Sequence, residues 1–216
     1  MKKLVIFDLD GTLFDTTRAM QACGNFALAK LGYPGFARED YARFSGVAYM
    51  EFVRAILRAA GADADRLADR FWALYLEKNA ALDFDANVPY DGIPETLFAL
   101  KEKGIALAVL SNKDQATCEE VVRKAFGEGV FSVIRADTGA SPVKPDPAGL
   151  FDILRETGTS AADALYVGDT QVDVQTGKNA GVEAAAVLWG YRDRETLEKE
   201  APAYLIASPA ELLRFC

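Results

Sequence analysis

The stretch Leu4-Val5-Ile6-Phe7-Asp8-Leu9-Asp10-Gly11-Thr12 constrains the fold more than any other part of the chain. Its four leading apolar residues read as a buried strand, and Gly11 opens a turn. In extended backbone, residues i and i+2 face one side. Asp8 and Asp10 are therefore expected to project together from the strand end while Leu9 turns away. Two carboxylates about 4 Å apart repel by about 4 kcal/mol at an effective dielectric of about 20. A fold that keeps them adjacent needs a cation, a shared proton or chemistry that uses both. The plain alternative is a strand followed by an Asp-rich turn.

Further along, the pattern alternates strand and helix. Apolar runs at Ile105–Leu110, Ala164–Val167 and Ala184–Leu188 each end in polar or glycine residues, with weaker strand signals at Val130–Ile134 and Tyr204–Ile206. Helical patterns separate them at Pro94–Lys103, Asp114–Phe126, Pro147–Glu156 and Val172–Asn179. Pro94 suits the first helical position and Gly104 a helix stop. Continuous apolar strands alternating with helices imply an α/β fold with a Rossmann-like parallel sheet covered on both faces. Residues 15–82 differ. They show no strand and read as helices over Asp15–Leu31, Ala48–Ala60 and Asp65–Leu82, with Asp15 as an N-cap and breaks at Gly32–Gly35 and Phe44–Gly46. The organisation expected is a core of residues 1–14 and 83–216 with a helical insert, residues 15–82.

Composition removes several classes of function. With 24 basic and 32 acidic residues the formal charge is −8, which argues against sequence-independent nucleic-acid binding. Met1-Lys2-Lys3 looks like the basic start of a signal peptide, but the apolar run after it stops at Asp8, too short for a signal core. No apolar stretch is long enough to span a bilayer, so a cytoplasmic location is the default. Cys23, Cys118 and Cys216 are odd in number and widely spaced, as expected of reduced thiols rather than a disulfide frame or zinc site. The chain has no histidine, which excludes His nucleophiles, Ser-His and Cys-His dyads and His-ligated metals. A Cys-x5-Arg loop is absent, because Ala29 and Lys124 stand six residues after Cys23 and Cys118. There is no Walker-type loop, and Gly127-Glu128-Gly129 lacks the third glycine of a dinucleotide motif, Ser132 standing there. Chemistry must rest on carboxylates, lysine and hydroxyls.

Those residues fall at strand ends, where ligands bind in open parallel sheets. Asp8 and Asp10 follow the first strand, Ser111-Asn112 the next, and Asp169 a later one, with Asp173 one helical turn on. Lys144 sits in the proline-rich loop Pro142–Pro147 before a helix. Taken singly, Ser111-Asn112 are adequate helix caps, Lys144 a solvated charge and Gly168-Asp169 a tight turn; it is their joint order that points to a site. Three carboxylates without histidine suit a hard cation such as Mg²⁺. Ser111, the Asn112 N–H and Lys144 suit phosphoryl oxygens, and an aspartate can act as the nucleophile of phosphoryl transfer.

The set resembles the four motifs of the haloacid dehalogenase superfamily, aspartyl phosphatase branch. The matching segments are Asp8-Leu9-Asp10-Gly11-Thr12, Ser111 within Val109–Lys113, Lys144-Pro145-Asp146-Pro147, and Gly168–Asp173. The resemblance implies a C1-type cap for the insert and roles at the matched positions. Asp8 would attack phosphorus. Asp10 would protonate the leaving alcohol and then activate water, which requires it to carry a proton at first. Asp8 and Asp169 would ligate Mg²⁺ through side chains and Asp10 through its backbone carbonyl, with Asp173 orienting the metal site. Ser111 and Lys144 would hold the phosphoryl group, supported by Thr12 and Asn112. Arg43, in the Arg43–Gly46 turn, would contact the substrate from the cap, and Trp189–Arg192 would line the entrance.

Within the superfamily, Asp10 argues against dehalogenases and phosphonoacetaldehyde hydrolases, which lack that aspartate. The β-phosphoglucomutases carry a histidine about ten residues on, where Met20 stands here. The layout is similar to phosphoglycolate phosphatases, and implies a monomer or homodimer acting on a small phosphorylated metabolite. Sugar-phosphate, nucleotide and pyrophosphate phosphatases share the same motif residues. A receiver-type switch domain would also use aspartates, Mg²⁺ and lysine, but the insert and Asp10 argue against it.

Overall fold

The computed structural model describes residues 1–82 and 87–216, and the chain forms two compact units. One comprises Met1–Phe14 and Pro89–Cys216, the other Asp15–Val88. The boundary expected at residue 83 lies outside the described residues.

The larger unit is built on a six-stranded parallel sheet. In chain order its strands are β1 (Leu4–Phe7), β4 (Ala106–Asp114), β5 (Val133–Asp137), β6 (Ala164–Gly168), β7 (Glu183–Val187) and β8 (Tyr204–Ile206), and their spatial order is β5-β4-β1-β6-β7-β8. Every neighbouring pair is parallel. β1 lies in the interior because all four of its residues are fully buried. Alternation sends Val5 and Phe7 to one face and Leu4 and Ile6 to the other. On the first face they meet Ile93, Leu97 and Leu100 of helix α5 (Ile93–Glu102) and Cys118, Val121 and Val122 of α6 (Gln115–Phe126). On the second they meet Leu150, Ile153 and Leu154 of α7 (Ala148–Thr157). Helices α8 (Gln171–Ala180) and α9 (Arg194–Lys199) complete this unit, and Val174 and Leu197 pack on Ala184 and Ala186 of β7. The parallel α/β sheet read from the apolar runs is the fold observed.

Differences from the sequence reading are local. Pro94 is the second helical residue of α5, after Gly92 and Ile93, while Gly104 does follow its C-cap with φ +76°. β4 runs four residues beyond Leu110, since Asp114 still pairs with Asp137 across an irregular register. β5 begins at Val133, because Val130 and Phe131 pack from the preceding loop.

The smaller unit holds α1 (Thr17–Leu31), α2 (Arg38–Phe44), α3 (Tyr49–Ala59) and α4 (Ala64–Ala80) around a core containing Tyr41, Phe52, Ile56, Leu57 and Phe71. Thr16, not Asp15, is the N-cap of α1; Asp15 accepts the Thr17 N–H at 3.2 Å from one residue further out. α2 is absent from the sequence reading. Asp40 in its first turn accepts the Ala37 N–H at 3.1 Å and starts it, and the fully buried Tyr41 donates to Asn25 at 2.8 Å. Two short strands, β2 (Phe14–Asp15) and β3 (Val88–Pro89), pair where the chain leaves the sheet unit and re-enters it.

Candidate active site

The C-terminal ends of β1, β4 and β6 are neighbours in the sheet, so Asp8, Ser111 and Asp169 come together although they are far apart in sequence. Carboxylate oxygens of Asp8, Asp169 and Asp173 lie within 4.8 Å of one another, all three buried. Lys144, 7% exposed, donates to Asp8 at 2.7 Å and to Asp173 at 2.7 Å. Its loop is held by Asn112, whose side-chain Oδ1 accepts the Lys144 N–H at 2.9 Å and whose Nδ2 donates to the Lys144 carbonyl at 3.0 Å. Burial penalises the Lys144 ammonium, but Asp173 and Asp8 outweigh it and raise its pKa well above the ordinary lysine value.

The two aspartates of the opening motif have different lysine partners. Asp8 faces Asp169, Asp173 and Lys144. Asp10 faces Lys113, whose ammonium lies 3.1 and 3.2 Å from its two carboxylate oxygens. β1 ends at Phe7, and Asp10 sits in the following turn as an isolated bridge to Phe14. Each aspartate thereby has its own lysine.

Asp173 uses its lone pairs fully. Oδ1 accepts from Lys144 and from the Tyr166 hydroxyl at 2.9 Å, and Oδ2 from the Thr170 N–H at 3.0 Å and hydroxyl at 2.7 Å. A carboxylate has about four acceptor positions, so Asp173 is an orienting group rather than an open ligand. Asp169 accepts the Thr12 hydroxyl at 3.3 Å and the Tyr191 N–H at 2.7 Å. Thr12 is thus turned to Asp169. Ser111 Oγ accepts the Lys113 N–H at 3.2 Å. Arg43 lies in the last turn of α2, in the other unit, with an exposed side chain paired to Asp40 at 3.1 Å.

The electrostatics favour a cation. Burial, chiefly, pushes Asp8 well above the usual carboxylate range; Lys144 opposes, and Asp173 and Asp169 add to the rise. Asp169 is pushed up to about 7 by burial and then by Asp173. For Asp173, Lys144 overcomes the burial penalty and lowers the pKa. Three buried carboxylates against one ammonium leave two negative charges unbalanced when all are ionised. An all-oxygen donor set of that charge fits a hard divalent cation, with Asp8 and Asp169 offering the open lone pairs. Glycines let the backbone close on the Asp169 side chain. A Cβ at Gly11, whose φ is +90°, would stand 2.3 Å from Asp169 Oδ2, and one at Gly190 would stand 2.2 Å from Asp169 Cβ.

Two contributors escaped the sequence reading as site residues: Lys113 and Tyr166. Lys113 carried a signal, since it stands two residues after Ser111 on a strand and shares its face. Trp189, expected at the entrance, donates its indole N–H to the Thr12 carbonyl at 3.0 Å and so ties its segment to the β1 turn.

A family model described as haloacid dehalogenase-like hydrolase matches residues 5–187, and the chain belongs to that family. A phosphoglycolate phosphatase from Pseudomonas syringae pv. tomato is 33% identical over 100% of this chain and 80% of its own length. Another from Aquifex aeolicus is 31% identical over 98% of this chain and 95% of its own. The fold is also that of a Haemophilus somnus protein predicted to be a phosphoglycolate phosphatase, with TM-score 0.89 and 23% identity over 99% of this chain and 97% of that one. A haloacid dehalogenase-like hydrolase from Streptococcus pneumoniae superposes with TM-score 0.86 and 19% identity, over 99% of this chain and 98% of that one. This chain is accordingly a hydrolase of the phosphatase branch. Among the described residues no helix is long and apolar enough to cross a membrane.

Proposed function

We propose that this chain is a Mg²⁺-dependent, cytoplasmic phosphatase of small phosphorylated metabolites, with 2-phosphoglycolate as the preferred substrate and a phosphorylated Asp8 as intermediate. The observation that carries the reading is the buried Asp8–Asp169–Asp173 cluster with Lys144 paired to Asp8 and Asp173; the similarity to phosphoglycolate phosphatases supports the choice of substrate. In this reading Asp8 and Asp169 would hold the cation by side chains and Asp10 by its backbone carbonyl. When bound, Mg²⁺ supplies positive charge to the phosphoryl oxygens and to Asp8.

Asp8 attacks phosphorus in line, and the bond from phosphorus to the leaving oxygen breaks. Asp10 gives that oxygen its proton. In the second half Asp10 takes a proton from water, the hydroxyl oxygen bonds to phosphorus, and the bond to Asp8 breaks to release phosphate. Lys144 and the Ser111 hydroxyl hold phosphoryl oxygens. Thr12 braces Asp169, Asn112 holds the Lys144 loop, and Asp173 keeps the Lys144 ammonium in place. Residues 15–82 act as the cap that excludes water, with Arg43 assigned to the organic part of the substrate.

An initial-rate screen with Mg²⁺ over 2-phosphoglycolate, sugar phosphates, nucleoside monophosphates, pyrophosphate and β-glucose 1-phosphate tests the reading. The highest kcat/KM is expected for 2-phosphoglycolate. Hydrolysis of none of these, or turnover that EDTA leaves intact, refutes it.

A further inference from the structure

Two lysines flank the opening aspartates in different settings. Lys144 is buried, and both its carboxylate partners belong to the cation cluster. Lys113 reaches in from the end of β4 with a side chain 13% exposed, and Asp10 is its ion-pair partner, itself 15% exposed. One lysine therefore serves the phosphoryl side, and the other stands on the side of Asp10, next to solvent.

If Asp10 delivers a proton to the leaving oxygen, that oxygen must come within about 2.6–3.2 Å of its carboxylate. Lys113 touches the same carboxylate at 3.1 and 3.2 Å. Its ammonium is then within about 6 Å of the leaving oxygen and close to the carbon that bears it. An ammonium has three donors, and Asp10 takes two of them here. A group on that carbon competes for the third.

We infer that Lys113 is a specificity-determining residue, pairing with a substrate carboxylate on the carbon next to the leaving oxygen. The selected class is phosphate esters of 2-hydroxy carboxylates, and the selection is made within the sheet unit by a residue of β4. This rests on the phosphatase reading above and adds the feature of the organic group that the core itself recognises.

The test uses the full chain with Mg²⁺ and two esters of matched size, 2-phosphoglycolate and ethyl phosphate, which lacks the carboxylate. In Lys113→Met the ratio of kcat/KM for 2-phosphoglycolate over ethyl phosphate falls about 10- to 100-fold, mostly through KM, the loss expected for a charge-assisted pair. Lys113→Arg restores most of the ratio. Parallel losses on both esters, with the ratio unchanged, overturn the inference and leave Lys113 as a support for Asp10. A second comparison needs no variant. With wild-type protein, 2-aminoethyl phosphate, which turns an ammonium toward Lys113, is used at least about tenfold less well than ethyl phosphate. Equal use of the two overturns the inference. A wild-type chain inactive on every ester refutes the phosphatase reading itself and is distinguishable from both results.

Discussion

Mg²⁺ affinity should rise about tenfold between pH 6 and pH 8, and the size follows from one carboxylate. Asp169 is pushed up to about 7 by burial first and by Asp173 second, and a carboxylate must lose its proton before it ligates a cation. With that pKa, proton competition weakens binding about 11-fold at pH 6 and about 1.1-fold at pH 8, a ratio near 10, or about 1.4 kcal/mol. Asp8 is raised as well and can only steepen the dependence. Asp173 is lowered by Lys144 and stays ionised across this window. The effect on folding has a definite sign. A carboxylate whose pKa is higher in the folded state adds stability in acid, and that contribution is lost as pH rises through about 7. Metal-free protein should therefore lose stability over the window in which added Mg²⁺ restores most. Titration calorimetry of Mg²⁺ into the full chain at pH 6, 7 and 8, in two buffers of different ionisation enthalpy, measures both affinity and proton release. Asp169 alone should release about 0.9 proton per ion at pH 6 and about 0.1 at pH 8, with any release from Asp8 added to this. A dissociation constant flat across these pH values, with no proton released at pH 6, would refute the assignment of Asp169 as a ligand.

Asp8→Asn should lower turnover by at least about 10³-fold while circular dichroism and Tm show an intact fold, since Lys144 keeps Asp173 as a partner; retained activity would remove Asp8 from the nucleophile role. Asn112→Ala deletes both hydrogen bonds to the Lys144 backbone and should cost about 1–3 kcal/mol in urea unfolding, with a lower kcat; wild-type stability and rate together would show that the clamp is dispensable. Gly190→Ala places a Cβ 2.2 Å from Asp169 Cβ and 2.5 Å from the Gly11 carbonyl oxygen. Asp169 must shift, and Mg²⁺ affinity should drop about tenfold or more; unchanged affinity would count against that close approach.

The apolar strand runs were legible because a strand buried on both faces needs no polar alternation, and the strand-end rule then pointed to Asp8, Ser111 and Asp169. What could not be read were contacts between segments with no pattern of their own. The pairing of Asp10 with Lys113 depends on where β1 stops and where β4 stops. The apolar run stops at Leu110 and the helical pattern begins at Asp114, yet β4 continues through residues 111–114 because Asp137 of β5 is there to pair with Asp114. The saturation of Asp173 rests partly on the Tyr166 hydroxyl, and a tyrosine inside an apolar strand announces packing rather than a donor. Likewise α2 is seven residues between breakers, too short for periodicity to stand out, and its packing around Tyr41 adds to the Asp40 cap in making it a helix.

The place of β1 in the sheet has a consequence for biosynthesis. It precedes the other five strands of its sheet in the chain, yet it is flanked by β4 and β6, and Phe7 pairs with Val109 on one side and Val167 on the other. At about 5–20 residues per second, the second neighbour leaves the ribosome about 10–30 s after the first strand does. Through that interval a wholly apolar tetrapeptide waits with an open edge, and Asp8 has no Asp169 beside it. The nascent chain therefore cannot complete this cluster until β6 and the residues after it, Asp169 and Asp173, have been made.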